Sequence, residues 1–514
     1  MTEKRKIRNK SFLSRFLAFV MGLALAVTPM IPVYATSDVN SEVISDTVTE
    51  ENEQEETQET VEAPDTDPSG VTAAVIADAK PNFDVHSHAV YMVNTDAAAD
   101  IKVYAQNVND LWSPASLTKI MTAMIVLENM ESLDDVVTAP SYVFDELFGL
   151  GASNADIRHG EQITVRDLLY ALMLRSACEA SGILAHYICP DDPAGFVAMM
   201  NEKAKELGCT NTNFVNSHGL DAEGQYTSAY DMYLITAYAM QNETFAEIAC
   251  ATSYVMQPTN IHTEERKISH TNFMLSSYYG GSYYYEYAKG IKTGTTGEAG
   301  RNLITVAEKD GYNYMLVTMG APYRDENGAQ ISENYSYIDH KNLYEWAFDV
   351  FRFTTVIQEY QSLDEVAVRF GENSNHVTVT AQKKVIMLLP ETLDTSTILV
   401  EPTLPEYVDA PVVKGDVIGK AELKLAGEVI ASVALIAEND VARSGLAYSL
   451  HLVKRFFANP WVIIACIVLL LLIGLLIFFV VGERKKRRKD KLRKKFGKRP
   501  SMPSSRPKNP NSWR

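Results

Sequence analysis

The chain reads as an α+β protein. An antiparallel sheet beside a helical cluster is followed by a small all-β unit and then by one membrane-spanning helix. Three observations lead there. Over residues 82–352 the hydrophobic pattern passes from strand period to helix period and back. Over residues 355–437 short, β-branched, alternating segments follow one another between turn residues. Trp461 to Val481 is an unbroken apolar run of 21 residues, enough to cross a bilayer at ~1.5 Å rise per residue. A length of 514 residues with 46% hydrophobic content allows two or three domains.

In chain order, residues 1–35 read as a secretory signal peptide. Lys4, Arg5, Lys6, Arg8, Lys10 and Arg15 precede the apolar stretch Phe16 to Val27, and small residues follow at Val33 and Ala35. An uncleaved N-terminal anchor is the alternative; either way the body is exported. Residues 36–81 read as an acidic, disordered spacer, because Thr36 to Gly70 holds 12 Asp and Glu and no Lys or Arg. Ala89 to Gln106 predicts two short strands around Asn94-Thr95-Asp96, and His86-Ser87-His88 is expected on a strand. Ser113-Pro114 marks a helix start, with Ile120, Met121, Met124, Ile125 and Leu127 recurring at helical spacing. Ile163 to Ile188 and Tyr226 to Met240 predict further helices. Tyr287 to Thr293, Leu303 to Ala307 and Tyr314 to Met319 read as successive antiparallel strands, closed by a helix over Lys341 to Phe351.

The β-rich unit over 355–437 is expected to hold strands at Val366–Arg369, His376–Thr380, Lys384–Leu389, Thr397–Glu401, Val417–Leu425 and Val429–Ile436. It carries no catalytic constellation and reads as a spacer between the preceding unit and the membrane. Leu446 to Ala458 is amphipathic and leads into the span over 461–481.

Charge is partitioned along the chain. The whole is −18; the first 35 residues contribute +5 and residues 483–514 contribute +13, which leaves −36 for residues 36–460. Basic residues beside a span stay cytoplasmic, so the tail is expected inside and the residues before the span outside the cell membrane. So acidic an outer portion excludes nucleic acid as a partner, because phosphate binding needs a basic surface. Cys466 falls in the span; Cys178, Cys189, Cys209 and Cys250 allow three complete disulfide pairings or free buried thiols. No metal-ligand spacing is present, so neither metal nor cofactor is implied.

The chemistry lies in three short strings: Ser116-Leu117-Thr118-Lys119, Ser176-Ala177-Cys178 and Lys292-Thr293-Gly294. Ser116 and Lys119, three apart, share one side of a helix, with the serine near its N-terminus. A serine hydroxyl is a weak nucleophile until a base takes its proton. A lysine serves as that base once desolvation or a nearby cation lowers its pKa, and Lys292 offers the cation. On a strand, Gly294 lets substrate backbone come close, while Lys292 and Thr293 suit a terminal carboxylate.

In this order the strings resemble the active-site motifs of the penicillin-recognising serine enzymes. The longer run Pro114 to Ala123 matches that family's extended first signature. Asn213 to Leu220, Tyr226 to Asp231, His270-Thr271-Asn272 and Gly290 to Gly300 are similar to one branch, the low-molecular-mass serine-type D-alanyl-D-alanine carboxypeptidases, and the β-rich unit resembles that branch's C-terminal domain. The resemblance implies a β-lactamase/transpeptidase-like fold over 82–352. It implies Ser116 as nucleophile, Lys119 as base and Ser176 as proton relay. It implies Lys292, Thr293, Gly294, Thr295 and Cys178 as substrate-binding positions, with the backbone N–H groups of Ser116 and Thr295 as oxyanion hole. The implied partners are the D-Ala-D-Ala end of the peptidoglycan stem peptide, β-lactams as inhibitors, and the membrane through the C-terminal helix. His218 and Asp231 fall at family positions of structural role, so a Ser/His/Asp triad is rejected.

One position departs. The family carries Asn where this chain has Cys178, and a thiol cannot supply both a carbonyl acceptor and an amide donor. Losing one oriented contact costs on the order of tenfold to a thousandfold in rate, so slowed or altered turnover is expected rather than its loss. A degenerate relative that binds stem peptide or partner proteins without turnover is the alternative reading, and a β-lactamase a further one. Cys178 itself is expected as a small buried side chain or disulfide partner, ahead of a second nucleophile.

Overall fold

The computed structural model describes residues 80–96 and 100–496. The expected signal peptide, nearly all of the acidic spacer and residues 497–514 of the basic tail lie outside the described residues.

The central sheet has the order β2-β1-β9-β8-β7, built from β1 (Ala89–Asn94), β2 (Ile101–Gln106), β7 (Ala288–Thr296), β8 (Gly300–Lys309) and β9 (Tyr312–Ala321). All pairings are antiparallel. β1, sequence AVYMVN, is buried at every position because it lies between two strands and is covered on both faces. β2 and β7 are the edges, and β2 accordingly alternates buried with exposed residues.

One face carries a helical cluster. Its centre is α1 (Thr118–Asn129), preceded by a 3-10 turn over Ala115–Leu117; around it lie α2 (Ser141–Leu147), α3 (Val165–Leu174), α4 (Cys178–Ile188), α5 (Pro193–Glu206), α6 (Ala229–Met240) and α7 (Glu243–Cys250). Nine of the first turns' residues on α1, Thr118 to Val126, are buried, so this helix forms the middle of the core rather than a surface stripe. Leu117, Ile120, Leu168, Leu172, Ile183 and Met232 pack there against Ile304 and Val317 of the sheet. Two small ribbons trim the cluster: β3 (Val136–Thr138) with β4 (Gln162–Thr164), and β5 (Ser253–Met256) with β6 (Arg266–Ser269). The other face is covered by α8 (Tyr335–Val350), where Val90, Met92, Leu303 and Leu316 meet Leu343, Tyr344 and Ala347.

Beyond α8, β10 (Phe351–Ile357) pairs with β13 (Val385–Pro390). A six-stranded sheet of order β14-β16-β17-β12-β11-β15 follows, from β11 (Ser362–Arg369), β12 (His376–Ala381), β14 (Leu399–Thr403), β15 (Tyr407–Asp409), β16 (Val417–Leu425) and β17 (Glu428–Ala437). The ribbon belongs to two cores: Phe351 and Leu388 pack beneath α8, while Ile357 and Met387 pack with Val379, Leu423 and Leu435. The chain ends in α9 (Gly445–Ala458), with Leu446, Leu450, Val453, Phe456 and Phe457 exposed, and α10 (Pro460–Phe496). Over Pro460–Leu492, α10 is long and apolar enough to cross a membrane.

Several expectations need correction. His86-Ser87-His88 precedes β1 and is not a strand: the buried Asp339 carboxylate accepts from the backbone N–H groups of His86 and Ser87, replacing ladder bonds. The mostly helical stretch expected over Ile163 to Ile188 holds two helices, broken where Ser176 adopts a left-handed φ of 58°, and its first two residues belong to β4. α6 starts at Ala229, because Ser228 caps it by accepting from the Asp231 N–H, while Tyr226 and Thr227 bridge in extended form to Asn213 and Trp112. The closing helix begins at Tyr335, capped by Asn334, and yields at Phe351 to a strand.

Candidate active site

Local geometry fixes the first motif. Ala115 takes a left-handed φ of 47°, which for a non-glycine residue costs ~1–2 kcal/mol unless its surroundings enforce it. They do. The Thr118 hydroxyl donates to the Ala115 carbonyl at 2.8 Å, and the Asn302 amide donates to the Ser113 and Pro114 carbonyls at 2.9 and 3.2 Å. Gly219, at φ 79°, lies so near the Ala115 carbonyl that any Cβ would collide with it. Gly294 on β7 comes close as well, though less so: a Cβ there would sit 3.2 Å from the Ser116 nitrogen. Serine turn and strand are thus clamped together, with Ser116 itself half-buried.

Lys119 is fully buried, and its Nζ donates to Ser116 Oγ at 3.0 Å, to Cys178 Sγ at 3.4 Å and to the His218 carbonyl. Burial pushes its pKa below that of an ordinary lysine, with the Cys178 sulfur and the Glu179 carboxylate opposing in part. In the neutral amine, two N–H groups serve His218 and Cys178 and the lone pair is left for Ser116. Lys292, also fully buried, donates to the Thr293 carbonyl at 3.0 Å. Its pKa falls well below the usual value, first through burial and then through the charge of Lys119.

Ser176 sits at the break between α3 and α4. Its buried hydroxyl has no hydrogen-bond partner among the described residues, a condition that costs ~1–3 kcal/mol for an ordinary buried polar group. Cys178, the first residue of α4, is buried and donates its backbone N–H to the Ser153 carbonyl at 2.8 Å. It is a free thiol, as are Cys189, Cys209, Cys250 and Cys466, so no disulfide competes for it. Next to it, Glu179 accepts from the Ala155 N–H at 2.7 Å, and burial raises its pKa.

Thr293 and Thr295 flank Gly294 on β7. The Thr293 hydroxyl is 2.7 Å from that of Thr271, while Thr295 is exposed. Because β7 is an edge strand, its outer backbone groups are open to an added extended chain. Ser116, Lys119 and Cys178 are in direct contact, and Gly294 abuts the same turn. His218 and Asp231 have separate roles: the His218 ring accepts from the Leu220 N–H, and Asp231 accepts from the Asn211 N–H and the Thr212 hydroxyl. The His218 pKa is lowered to about 4, through burial first and then Lys119, so its ring is neutral at pH 7. Sequence reasoning did not assign the His218 carbonyl, Asn302, Thr271 or Glu179. A backbone acceptor leaves no side-chain signal, although His218 and Thr271 do fall within the family-like stretches. Among the described residues no cluster of His, Cys, Asp and Glu is arranged to hold a metal ion.

Comparison with known proteins follows the same outline. Residues 75–323 match the family described as D-alanyl-D-alanine carboxypeptidase, and residues 351–443 match the one described as penicillin-binding protein 5, C-terminal domain. The D-alanyl-D-alanine carboxypeptidase DacC of Escherichia coli is 30% identical over 362 residues, covering 67% of this chain and 82% of that protein. DacF of Bacillus subtilis is 28% identical over 344 residues, covering 67% and 83%. The solved structure of penicillin binding protein 5 from Haemophilus influenzae, 27% identical, superposes with a TM-score of 0.51 over 71% of this chain and all of that one. The chain belongs to the D-alanyl-D-alanine carboxypeptidase family of low-molecular-mass penicillin-binding proteins.

Proposed function

We propose that this protein is a serine D-alanyl-D-alanine carboxypeptidase that removes the terminal D-Ala from peptidoglycan stem peptides. The observation that carries the reading is the contact of a buried, pKa-depressed Lys119 with Ser116 Oγ at 3.0 Å. In this reading the neutral Lys119 takes the proton as Ser116 Oγ attacks the carbonyl between the two D-Ala residues. The backbone N–H groups of Ser116 and Thr295 receive the developing oxyanion. The C–N bond then breaks, and the departing D-Ala nitrogen takes up the proton carried from Lys119 through the Ser176 hydroxyl. Water hydrolyses the acyl-enzyme by the reverse route. Lys292 and Thr293 hold the substrate's terminal carboxylate, Gly294 admits its backbone, and Cys178 helps to hold Lys119, whose Nζ lies 3.4 Å from its sulfur.

β-Lactams acylate the same serine and leave slowly. The catalytic part spans residues 82–352, with the β-rich part over 355–437 as a spacer above the bilayer. The span over 461–481 anchors the protein in the cell membrane; the basic tail 483–514 places its C-terminal end inside and the active site outside. The test is labelling of the full-length chain in detergent by a fluorescent penicillin, alongside D-Ala release from a pentapeptide. Label and release that both vanish in Ser116→Ala support the reading. A folded protein that takes no label overturns it.

A further inference from the structure

Helix α4 opens with two neighbouring residues that grip one segment of chain. The Cys178 N–H donates to the Ser153 carbonyl at 2.8 Å. The Glu179 carboxylate, only 3% exposed, accepts through one oxygen from the Ala155 N–H at 2.7 Å and from the Ile157 N–H at 3.5 Å. The Ala155 and Asp156 carbonyls accept from Arg266 at 3.0 and 2.9 Å, so two side chains of opposite charge share the segment's backbone groups. Packing alone does not hold it. A cavity of about 410 Å³ opens along it, between Leu147, Gly151 and Asn154, with Glu179 in its wall. Asp156 stands at a left-handed φ of 55°, a conformation that its surroundings must enforce.

Those bonds do not explain the charge. A neutral amide oxygen would serve the two N–H groups as well, and burying a carboxylate costs more than burying an amide. What the charge faces is Lys119. That amine meets Cys178 and Glu179 from α4, the neutral His218 from the stretch before α6, and Lys292 from β7; among these Glu179 is the carboxylate. It raises the Lys119 pKa against burial, and Lys119 in turn lowers that of Glu179. Lys292 responds to Lys119 and Cys178 instead. In the proposed reaction, the proton leaving Ser116 turns a neutral amine into a fully buried ammonium, a charge that needs a partner.

We infer that Glu179 is a positioning residue for acyl transfer: it braces residues 153–157 against the second motif and supports the cation that forms on Lys119. The inference rests on the carboxypeptidase reading and deepens it. Glu179 acts through Lys119, whose Nζ lies 3.0 Å from Ser116 Oγ, and through Cys178, its neighbour in the chain, rather than on the substrate itself. The proton balance of the reaction is unchanged. Ser116 gives its proton to Lys119 Nζ as the ester bond forms, Glu179 takes none, and the proton passes on to the departing nitrogen. The carboxylate holds the ammonium for the interval between those two transfers.

The test separates charge from brace on the full-length chain in detergent, by stopped-flow penicillin acylation across pH and by amide hydrogen exchange. Glu179→Gln removes the charge and keeps an acceptor for the Ala155 N–H. Its ascending pH limb should move to lower pH and its plateau should drop on the order of tenfold, because a base of lower pKa draws the proton less strongly. Exchange at Ala155 should stay close to that of the native chain. Glu179→Asp keeps the charge but is one methylene shorter. Its limb should stay nearer the native position than that of Glu179→Gln, while exchange at Ala155 and Ile157 quickens at least ~fivefold and that of β8 and β9 does not. A limb unmoved in Glu179→Gln overturns the support of Lys119, and unchanged exchange in Glu179→Asp overturns the brace. A native chain that takes no label removes the reading on which the inference rests.

Discussion

The two β-containing halves of the molecule use charge in opposite ways. Around Ser116, two lysines are fully buried, a serine hydroxyl is buried without a partner, and two non-glycine residues, Ala115 and Ser176, hold left-handed backbone. In the six-stranded sheet the charged pairs stand at the surface: Arg369 meets Asp409 at 2.6 and 2.9 Å, and Lys424 meets Glu401 at 2.7 Å, over a core of Val, Ile, Leu and Ala. One region gathers unfavourable terms at a point; the other scatters a few, with left-handed backbone at Tyr360, Phe370 and Ala426 and one buried hydroxyl, that of Thr380, without a partner among the described residues. Buried polar strain that surrounding structure must hold in place is the physical mark of a catalytic site.

The largest effects should come from breaking that concentration of strain. Ser116→Ala removes the proposed nucleophile and should lower penicillin acylation and D-Ala release by at least ~10³-fold, with little change in melting temperature. Lys292→Met should separate the two properties. Activity should fall on the order of 10²–10³-fold, because the proposed partner of the substrate's terminal carboxylate is lost. Stability at pH 7 should rise. The sign follows from linkage: the folded-state pKa of Lys292 lies below its unfolded value, so the unfolded chain binds more protons between the two, and holding Lys292 buried opposes folding in that window. A lower melting temperature in Lys292→Met would contradict the idea of stored strain.

Cys178 sharpens the comparison from inside the site. Its sulfur accepts from Lys119 at 3.4 Å and raises the Lys119 pKa against the dominant effect of burial. In the proposed mechanism acylation needs neutral Lys119, so its rate should increase with pH through that residue's lowered pKa. In Cys178→Ala the ascending limb of the pH–rate profile should move to lower pH, and the plateau should drop on the order of tenfold as the amine loses its lateral support. An unmoved limb measured by stopped-flow acylation would mean that the sulfur does not tune the base.

The local strings were readable in the sequence because each motif is contiguous: the first is set by one helix turn, the third by one strand, and the second spans the short break between α3 and α4. Strands β7 to β9 were readable too, since alternation and turn residues delimit each. What escaped depends on contacts across the chain. Asn302 reaches the Ser113 carbonyl 189 residues away, and the His218 carbonyl reaches Lys119 over 99 residues; neither is visible in a window of local pattern. β10 escaped for another reason. Phe351 to Ile357 alternates and is β-branched, but no glycine or proline separates it from α8, so the helix seemed to absorb its start. β15 is three residues long and exists through its parallel pairing with β11.

The smallest expected effect tests the quiet half of the molecule. Arg369 forms two bonds to Asp409 and lies 3.5 Å from the centroid of the Tyr407 ring, tying β11 to β15 at the edge of the six-stranded sheet. Both partners are about two-fifths exposed, so water and salt screen the pair. Exposed pairs of this kind contribute ~0.2–1 kcal/mol, and the cation–π contact adds a similar amount. Arg369→Ala should therefore lower the melting temperature of the β-rich part by a few degrees at most, less so in high salt, and should leave the rate of penicillin acylation within about twofold. Calorimetry and acylation kinetics on the same sample check both halves of that statement. A large fall in acylation would mean that the β-rich sheet supports the geometry of Ser116 and Lys119, and the division between a strained site and a passive spacer would have to be abandoned.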